Sequence, residues 1–133
     1  MVKMLSSSLL LCVAILFQIA VVRSTELYVC AAGDPVLLGS YTSSSADMMD
    51  GVPTFTNSNE MSFFRNNGFW YLGDLTSWPP KTHYRCVQPE GCNVGEAVPP
   101  TTAQGVWTVN KALGTEPIPE ITLTQCASSK EEL

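Results

Sequence analysis

The chain has 133 residues and a formal net charge of −5 at pH 7, and 45% of its residues are hydrophobic. A length of this order is typical of one domain. The acidic balance disfavours binding to nucleic acid, because contact with phosphate groups requires a basic face. It permits cationic, mineral or basic protein partners through long-range attraction.

The first 24 residues have the pattern of a secretory signal peptide. Lys3 provides a positive n-region, and an apolar run from Leu9 to Val22 follows, with one polar break at Gln18. This run is shorter than the roughly 20 apolar residues that a spanning helix needs. Ser24 places a small residue at the expected cleavage site. We therefore predict a cleaved signal over 1–24, the alternative being an uncleaved N-terminal anchor.

Cleavage would leave a secreted, extracellular protein of 109 residues with five cations and twelve anions, a formal charge of −7. We predict a β-rich domain over 25–127 and a polar C-terminal tail over 128–133. No second apolar run follows the signal. We therefore expect no membrane span after signal cleavage.

Four cysteines remain after the signal, an even number that predicts two disulfides in an oxidising compartment. Cys86 and Cys92 flank a Pro-Glu-Gly turn that can bring them to bridging distance, so we predict this pair together with Cys30–Cys126. The alternatives are Cys30–Cys86 with Cys92–Cys126, and Cys30–Cys92 with Cys86–Cys126.

A β-hairpin is the clearest local feature of the sequence. Two aromatic-rich runs, 61–65 and 69–72, flank Asn66-Asn67-Gly68. A tight hairpin turn requires positive φ at both central residues, which Asn and Gly tolerate. We predict that Asn67 and Gly68 occupy these two positions.

Other short strand-forming runs alternate with turn residues, and a polar loop is predicted over 43–51. The predicted strands are 27–31, 36–42, 53–56, 82–87, 105–109 and 121–124. No stretch after residue 24 sustains a helical period. This pattern predicts an all-β fold: a small antiparallel sheet, sandwich or barrel-like domain stapled by two disulfides.

We find no pattern that predicts catalysis, a cofactor or a metal site. His83 is the only histidine and lies inside a predicted strand, and paired cysteines leave no thiolate nucleophile. The cysteine spacing does not match that of zinc ligands. The Asp47–Gly51 segment lacks the order of ligands in a calcium loop. We therefore expect a protein that is not an enzyme.

Aromatic residues are concentrated around the predicted hairpin. Neighbouring residues in a strand face opposite sides, so either another layer covers one side of the hairpin or that side presents aromatic surface. The first arrangement is favoured, but the second would form a platform for sugar rings or a protein partner. The candidate residues for this binding surface are Phe69, Trp70, Tyr71 and Trp78.

The order of several short motifs resembles a known module. Gly39-Ser40-Tyr41, the run Trp70-Tyr71-Leu72-Gly73, Pro99-Pro100 and Gly105-Val106-Trp107 follow one another from Leu27 to Leu123. This order is similar to a short β-rich module of secreted or surface proteins in marine invertebrates and protists: Gly-x-Tyr, a Trp-containing strand, Pro-Pro and Gly-x-Trp. The resemblance implies no catalytic residues, and the cysteines are not part of the module's pattern.

Some small, acidic, secreted invertebrate proteins of this kind belong to shell or skeletal organic matrix. We therefore expect a secreted, non-enzymatic binding or extracellular-matrix protein whose partner is an extracellular protein, a polysaccharide or a mineral surface. The alternative is a secreted effector, such as a toxin or an enzyme inhibitor, that uses a disulfide-fixed loop.

Overall fold

The computed structural model describes residues 25–92 and 94–127. The predicted signal peptide (1–24) and polar tail (128–133) lie outside the described residues. The described chain forms one antiparallel sheet of eight strands that curls into a half-barrel and carries two disulfides. The prediction of an all-β fold with two disulfides is confirmed.

The first seven strands follow a simple meander in which each strand pairs with its neighbours along the chain. The eighth strand returns to pair with β1, which gives the sheet order β7-β6-β5-β4-β3-β2-β1-β8. The strands are β1 Glu26–Ala31, β2 Gly39–Met49, β3 Val52–Thr56, β4 Met61–Asn66, β5 Phe69–Asp74, β6 Lys81–Cys86, β7 Thr108–Val109 and β8 Glu120–Thr122.

The core lies on the concave face of the curled sheet. Side chains alternate between the two faces of a strand, and the register places Phe55, Phe63, Leu72 and Tyr84 opposite one another across β3 to β6. All four are buried. The rest of this core is Leu27, Val29, Leu37, Tyr41, Val52, Met61, Trp70, Cys86, Cys92, Trp107 and Ile121.

Trp107 helps to cover the open side of the half-barrel. Its indole ring is 3% exposed and meets Phe63 edge-on, with ring centroids 5.8 Å apart. The indole N–H donates a hydrogen bond of 3.1 Å to the carbonyl of Pro100. The indole therefore buries its apolar body and still satisfies its polar atom.

The stretch 110–119, between β7 and β8, joins opposite edges of the sheet. The Tyr84 hydroxyl, from β6, donates to the carbonyl of Thr115. The Gly33 N–H, just after β1, donates to the carbonyl of Pro117 at 3.0 Å. Because β6 and β1 lie near opposite ends of the strand order, these bonds close the half-barrel across its opening.

Asn57 joins two connections at one end of the sheet. Its side-chain amide donates to the carbonyl of Val36 at 3.1 Å and to the Tyr41 hydroxyl at 3.2 Å. Its carbonyl oxygen accepts from the backbone N–H groups of Asn59 and Met61. This side chain is 7% exposed, so its hydrogen bonds replace contacts with water that burial removes.

The hairpin of β4 and β5 forms as predicted. Asn67 and Gly68 have φ values of 51° and 85°, so both turn residues lie in the left-handed region. A two-residue turn of this kind matches the twist of the flanking strands.

The predicted polar loop over 43–51 is wrong, because β2 continues to Met49. Asp50 and Gly51 have φ values of 56° and 78° and form a second tight turn, which pairs Met49 with Val52. The register shifts between Ser44 and Met48. Backbone pairing with β3, rather than side-chain burial, therefore sustains this exposed part of β2.

Two predicted strands begin later in the structure. The run 36–42 begins with a turn of 3-10 helix over Pro35–Leu37, which starts at Asp34 because its carboxylate accepts from the N–H of Val36. The run 105–109 is reduced to β7, Thr108–Val109.

Both predicted disulfides, Cys30–Cys126 and Cys86–Cys92, are confirmed. The first joins residues 96 positions apart and ties β1 to the end of the described chain. The second closes a loop of sequence separation 6. Within the residues described, no helix is long and apolar enough to cross a membrane.

Replacing Gly68 with valine should destabilise the protein by at least about 1 kcal/mol, because a β-branched residue is strained at positive φ. A built Cβ would also approach the Val94 side chain to 3.2 Å. The matched variant Gly68→Asn should lose less, since Asn tolerates this conformation. Urea denaturation of both variants measures the difference. Equal stability of Gly68→Val and the native protein would contradict the claim that valine is strained at this position.

Removing the two disulfides should have unequal effects. In the chain-entropy model, the Cys30→Ala/Cys126→Ala variant should lose about 4 to 5 kcal/mol of unfolding free energy. The Cys86→Ala/Cys92→Ala variant should lose about 2 kcal/mol. The difference arises because the first bridge closes the far longer loop. Equilibrium denaturation of the two double variants tests this order. A larger loss of unfolding free energy in the Cys86→Ala/Cys92→Ala variant would contradict it.

Candidate binding groove

A row of hydroxyl side chains forms the floor of a groove on the convex face of the sheet. Because Phe55 and Phe63 point into the core, their neighbours Thr54, Thr56 and Ser62 point to the opposite face. Thr56 Oγ1 and Ser62 Oγ lie 2.9 Å apart and share a hydrogen bond. The strand period thus places aromatic rings and hydroxyl groups on opposite sides of the same two strands.

The groove has a volume of about 500 Å³. One wall is the outer end of β2, which contributes Ala46, Asp47, Met48 and Met49. The connection after β5 forms the other wall with Leu75, Thr76 and Trp78, and Glu60 adds its side chain from the turn between β3 and β4.

The wall after β5 is ordered by Asp74. Its Oδ1 atom accepts hydrogen bonds from the Thr76 hydroxyl at 2.6 Å and from the Thr76 N–H at 2.8 Å. These bonds, the hydroxyl bond first, hold the pKa of Asp74 below its ordinary value. This turn sets the direction in which the chain leaves β5 towards Trp78.

The β2 wall is anchored at its end by Asp50. The Oδ2 atom of Asp50 accepts from the Gly68 N–H at 2.7 Å and from Nε of Arg65 at 3.0 Å. Arg65 also donates to the backbone carbonyls of Asp50 and Glu96. The Gly68 N–H contributes most to lowering the pKa of Asp50, and Arg65 adds to the effect.

The charges that line the groove are negative. Asp47 and Glu60 contribute carboxylates, and the lining residues include no lysine, arginine or histidine. Neither carboxylate has an ion-pair partner in the part of the chain that the structure describes, where Asp50 lies beside Arg65 and Asp34 lies beside His83.

The structure separates the four residues predicted to form a binding surface. Trp70 is 0% exposed and belongs to the concave core, so its inclusion in a surface was wrong. Phe69 and Tyr71 lie on the opposite face of β5 and are half-buried. Trp78 is 73% exposed and lines the groove. Strand alternation explains the separation of Trp70 from its two neighbours.

Tyr71 covers the second aromatic side of the hairpin. Its ring stacks on Phe64 with centroids 5.6 Å apart and an angle of 19° between the planes. Phe64 is 1% exposed although it lies on the convex face. Tyr71 therefore has a packing role, which leaves Trp78 as the exposed member of the predicted set.

The hydroxyl floor was missed in the sequence, although one signal was present. Thr54 and Thr56 flank Phe55, and Ser62 precedes Phe63. This alternation of hydroxyl and aromatic residues indicates one polar and one apolar face. The walls gave no such signal, because they depend on the course of the outer end of β2 and of the connection after β5.

The structure also places His83 close to a carboxylate. His83 Nδ1 lies 3.3 Å from Asp34 Oδ2, near enough for an ion pair but without hydrogen-bond geometry. Among the described residues, no hydroxyl or thiol group hydrogen-bonds to this imidazole, and all four cysteines are in disulfides. No group of three or more metal-ligating side chains gathers within 25–92 and 94–127.

Comparison of the chain with protein-family models, curated proteins and solved structures found no match. The resemblance to the β-rich module of marine invertebrates and protists therefore stays a prediction.

The Asp50 anchor should make stability sensitive to acid. Because its folded-state pKa is lowered, its contribution is fully present above the ordinary aspartate pKa of about 3.9 and is lost as the pH falls through the lowered value. Asp50→Asn should therefore be less stable at pH 7, and its deficit should shrink in acid. Thermal denaturation between neutral and acidic pH, with Glu90→Gln as control, measures this. A deficit that is constant with pH would exclude the carboxylate as its source.

Proposed function

We propose that this is a secreted, non-enzymatic binding protein of an extracellular matrix and that a polysaccharide chain occupies its groove. The observation that carries the proposal is the position of Trp78, which is 73% exposed beside a floor of hydroxyl groups. An exposed indole next to convergent polar groups is a common arrangement in ligand sites.

The chemistry of the groove suits a sugar chain. A pyranose ring has an apolar face of C–H groups, which packs on an aromatic ring, and an edge of hydroxyl groups, which needs hydrogen-bond partners. Trp78 offers the first contact, and Thr54, Thr56 and Ser62 offer the second. The groove is open along the convex face, so it suits a segment of a polymer.

The disulfides support the proposed location. Two intramolecular bridges in a small domain are consistent with an oxidising extracellular environment. The expected charge of −7 after signal cleavage would attract cationic or mineral surfaces. A role in shell or skeletal organic matrix would combine these two properties, with the groove holding polysaccharide and the acidic surface facing mineral.

The alternative of a toxin or enzyme inhibitor has less support. Its candidate recognition element is the loop closed by Cys86–Cys92, which has exposed residues at Gln88, Pro89 and Glu90. This loop contains a turn of 3-10 helix over Pro89–Gly91. A compact turn offers little extended backbone for pairing with an enzyme cleft.

Trp78→Ala should weaken polysaccharide binding at least about tenfold, because an exposed aromatic anchor carries much of the affinity of a contact surface. Its free energy of unfolding should change by less than about 0.5 kcal/mol, since the side chain is exposed. Trp78→Phe should retain part of the affinity. Calorimetric titration with chitin, cellulose and xylan oligomers measures these effects.

The matched control is Leu113→Ala, which removes another exposed apolar side chain and does not line the groove. This variant should bind as the native protein does. Binding that survives Trp78→Ala would place the ligand elsewhere on the protein. Failure to bind any of the oligomers, combined with turnover of a substrate, would contradict the proposed function.

A further inference from the structure

We infer that the groove selects a polysaccharide bearing free amino groups, a polymer of the glucosamine type, over neutral and anionic glycans. This inference rests on the proposed function and names the ligand class of the same site. It is carried by three features of the lining: two carboxylates without ion-pair partners among the described residues, an exposed indole, and a mostly buried threonine whose hydroxyl opens into the groove.

The charge of the lining excludes one class of glycan and favours another. Asp47 and Glu60 line the groove on the β2 wall and at the turn between β3 and β4, so both bring negative charge close to a bound ligand. A sulfated or uronic-acid polymer would meet their repulsion with no cation in the lining to offset it. An ammonium group would meet attraction from both.

The neighbouring cation does not change this balance. Lys81 pairs with Asp74 in the ladder between β5 and β6 and lies close enough to lower the pKa of that carboxyl, after the larger effects of Thr76. Lys81 does not line the groove. Its charge therefore acts mainly on Asp74, and the carboxylates of Asp47 and Glu60 are left for a ligand.

Trp78 adds a contact that also favours a cationic sugar. The face of an indole ring attracts a positive charge within about 6 Å of its centre, more strongly than other aromatic rings do. One indole can thus pack against the sugar ring and attract the ammonium group that the ring carries. A neutral N-acetylated unit would gain only the packing contact.

Thr54 adds to the floor a hydroxyl group that is free to bond to a ligand. Its side chain is 5% exposed, lines the groove and makes no hydrogen bond to another described residue. Among the described residues, the buried side-chain atoms without a hydrogen-bond partner are Trp70 Nε1 and His83 Nδ1, so the Thr54 hydroxyl is one that solvent in the groove can reach. The remaining exposure of Thr54 opens into the groove, where a sugar hydroxyl would complete its hydrogen bonding.

The test compares two oligomers of equal length, the β-1,4-linked glucosamine tetramer and its fully N-acetylated form. Calorimetric titration should show tighter binding of the glucosamine tetramer, and the preference should fall between about 0.05 M and 0.5 M salt. Asp47→Asn and Glu60→Gln should each weaken its binding about two- to fivefold, as expected for exposed ion pairs. Neither variant should alter binding of the N-acetylated tetramer.

The matched control is Glu90→Gln, which changes the net charge equally but lies on the Cys86–Cys92 loop, outside the groove lining. It should bind both tetramers as the native protein does. Equal losses in this control and in Glu60→Gln would reveal unspecific charge attraction and overturn the inference, as would glucosamine binding that survives Trp78→Ala.

The outcomes separate the inference from the proposed function. If the N-acetylated tetramer binds equally well and Trp78→Ala abolishes both, amino-group selection is wrong while polysaccharide binding stands. If neither tetramer binds and the neutral oligomers also fail, both proposals fall.

Discussion

A single sheet that must bury large rings on one face has to curl, and the rest of this structure follows from that constraint. A continuous row across four strands is formed by Phe55, Phe63, Leu72 and Tyr84, and residues 25–92 and 94–127 form no second sheet to cover it. Curling brings this row against β1 and the stretches that contain Trp107 and residues 110–119. The energy comes from removing apolar surface from water, and the cross-links near the sheet edges hold the closed form.

The convex face is what the curl leaves available for binding. Side chains alternate along a strand, so the neighbours of a core residue point to the convex face. The burial of Phe55 and Phe63 in the core therefore places Thr54, Thr56 and Ser62 on that face. Fold and candidate site therefore use the same strands but different residues. Trp78 lies on a connection outside the sheet and contributes little to packing, since most of its surface is exposed.

The parts of the fold that could be predicted are those fixed by local chemistry. Asn67-Gly68 encodes its turn through backbone preference, and the Cys86–Cys92 pairing follows from a short loop. The extension of β2 to Met49 could not be predicted, because its polar residues are held by pairing with β3. Of the residues predicted for a binding surface, Trp78 is exposed and lines the groove, but Trp70 lies in the core. The groove itself depends on the course of the outer end of β2 and of the connection after β5.

The return of β8 to β1 has a consequence for the order in which the chain acquires its structure. Strands β1 to β6 pair with sequence neighbours across short connections, so each can join the sheet at a small cost in loop entropy. The pairing of β8 with β1 closes a far longer stretch of chain, because β1 begins at Glu26 and β8 ends at Thr122. We expect the meander to form first and β8 to dock last. Formation of the disulfide between Cys30 and Cys126 would then mark completion of the fold.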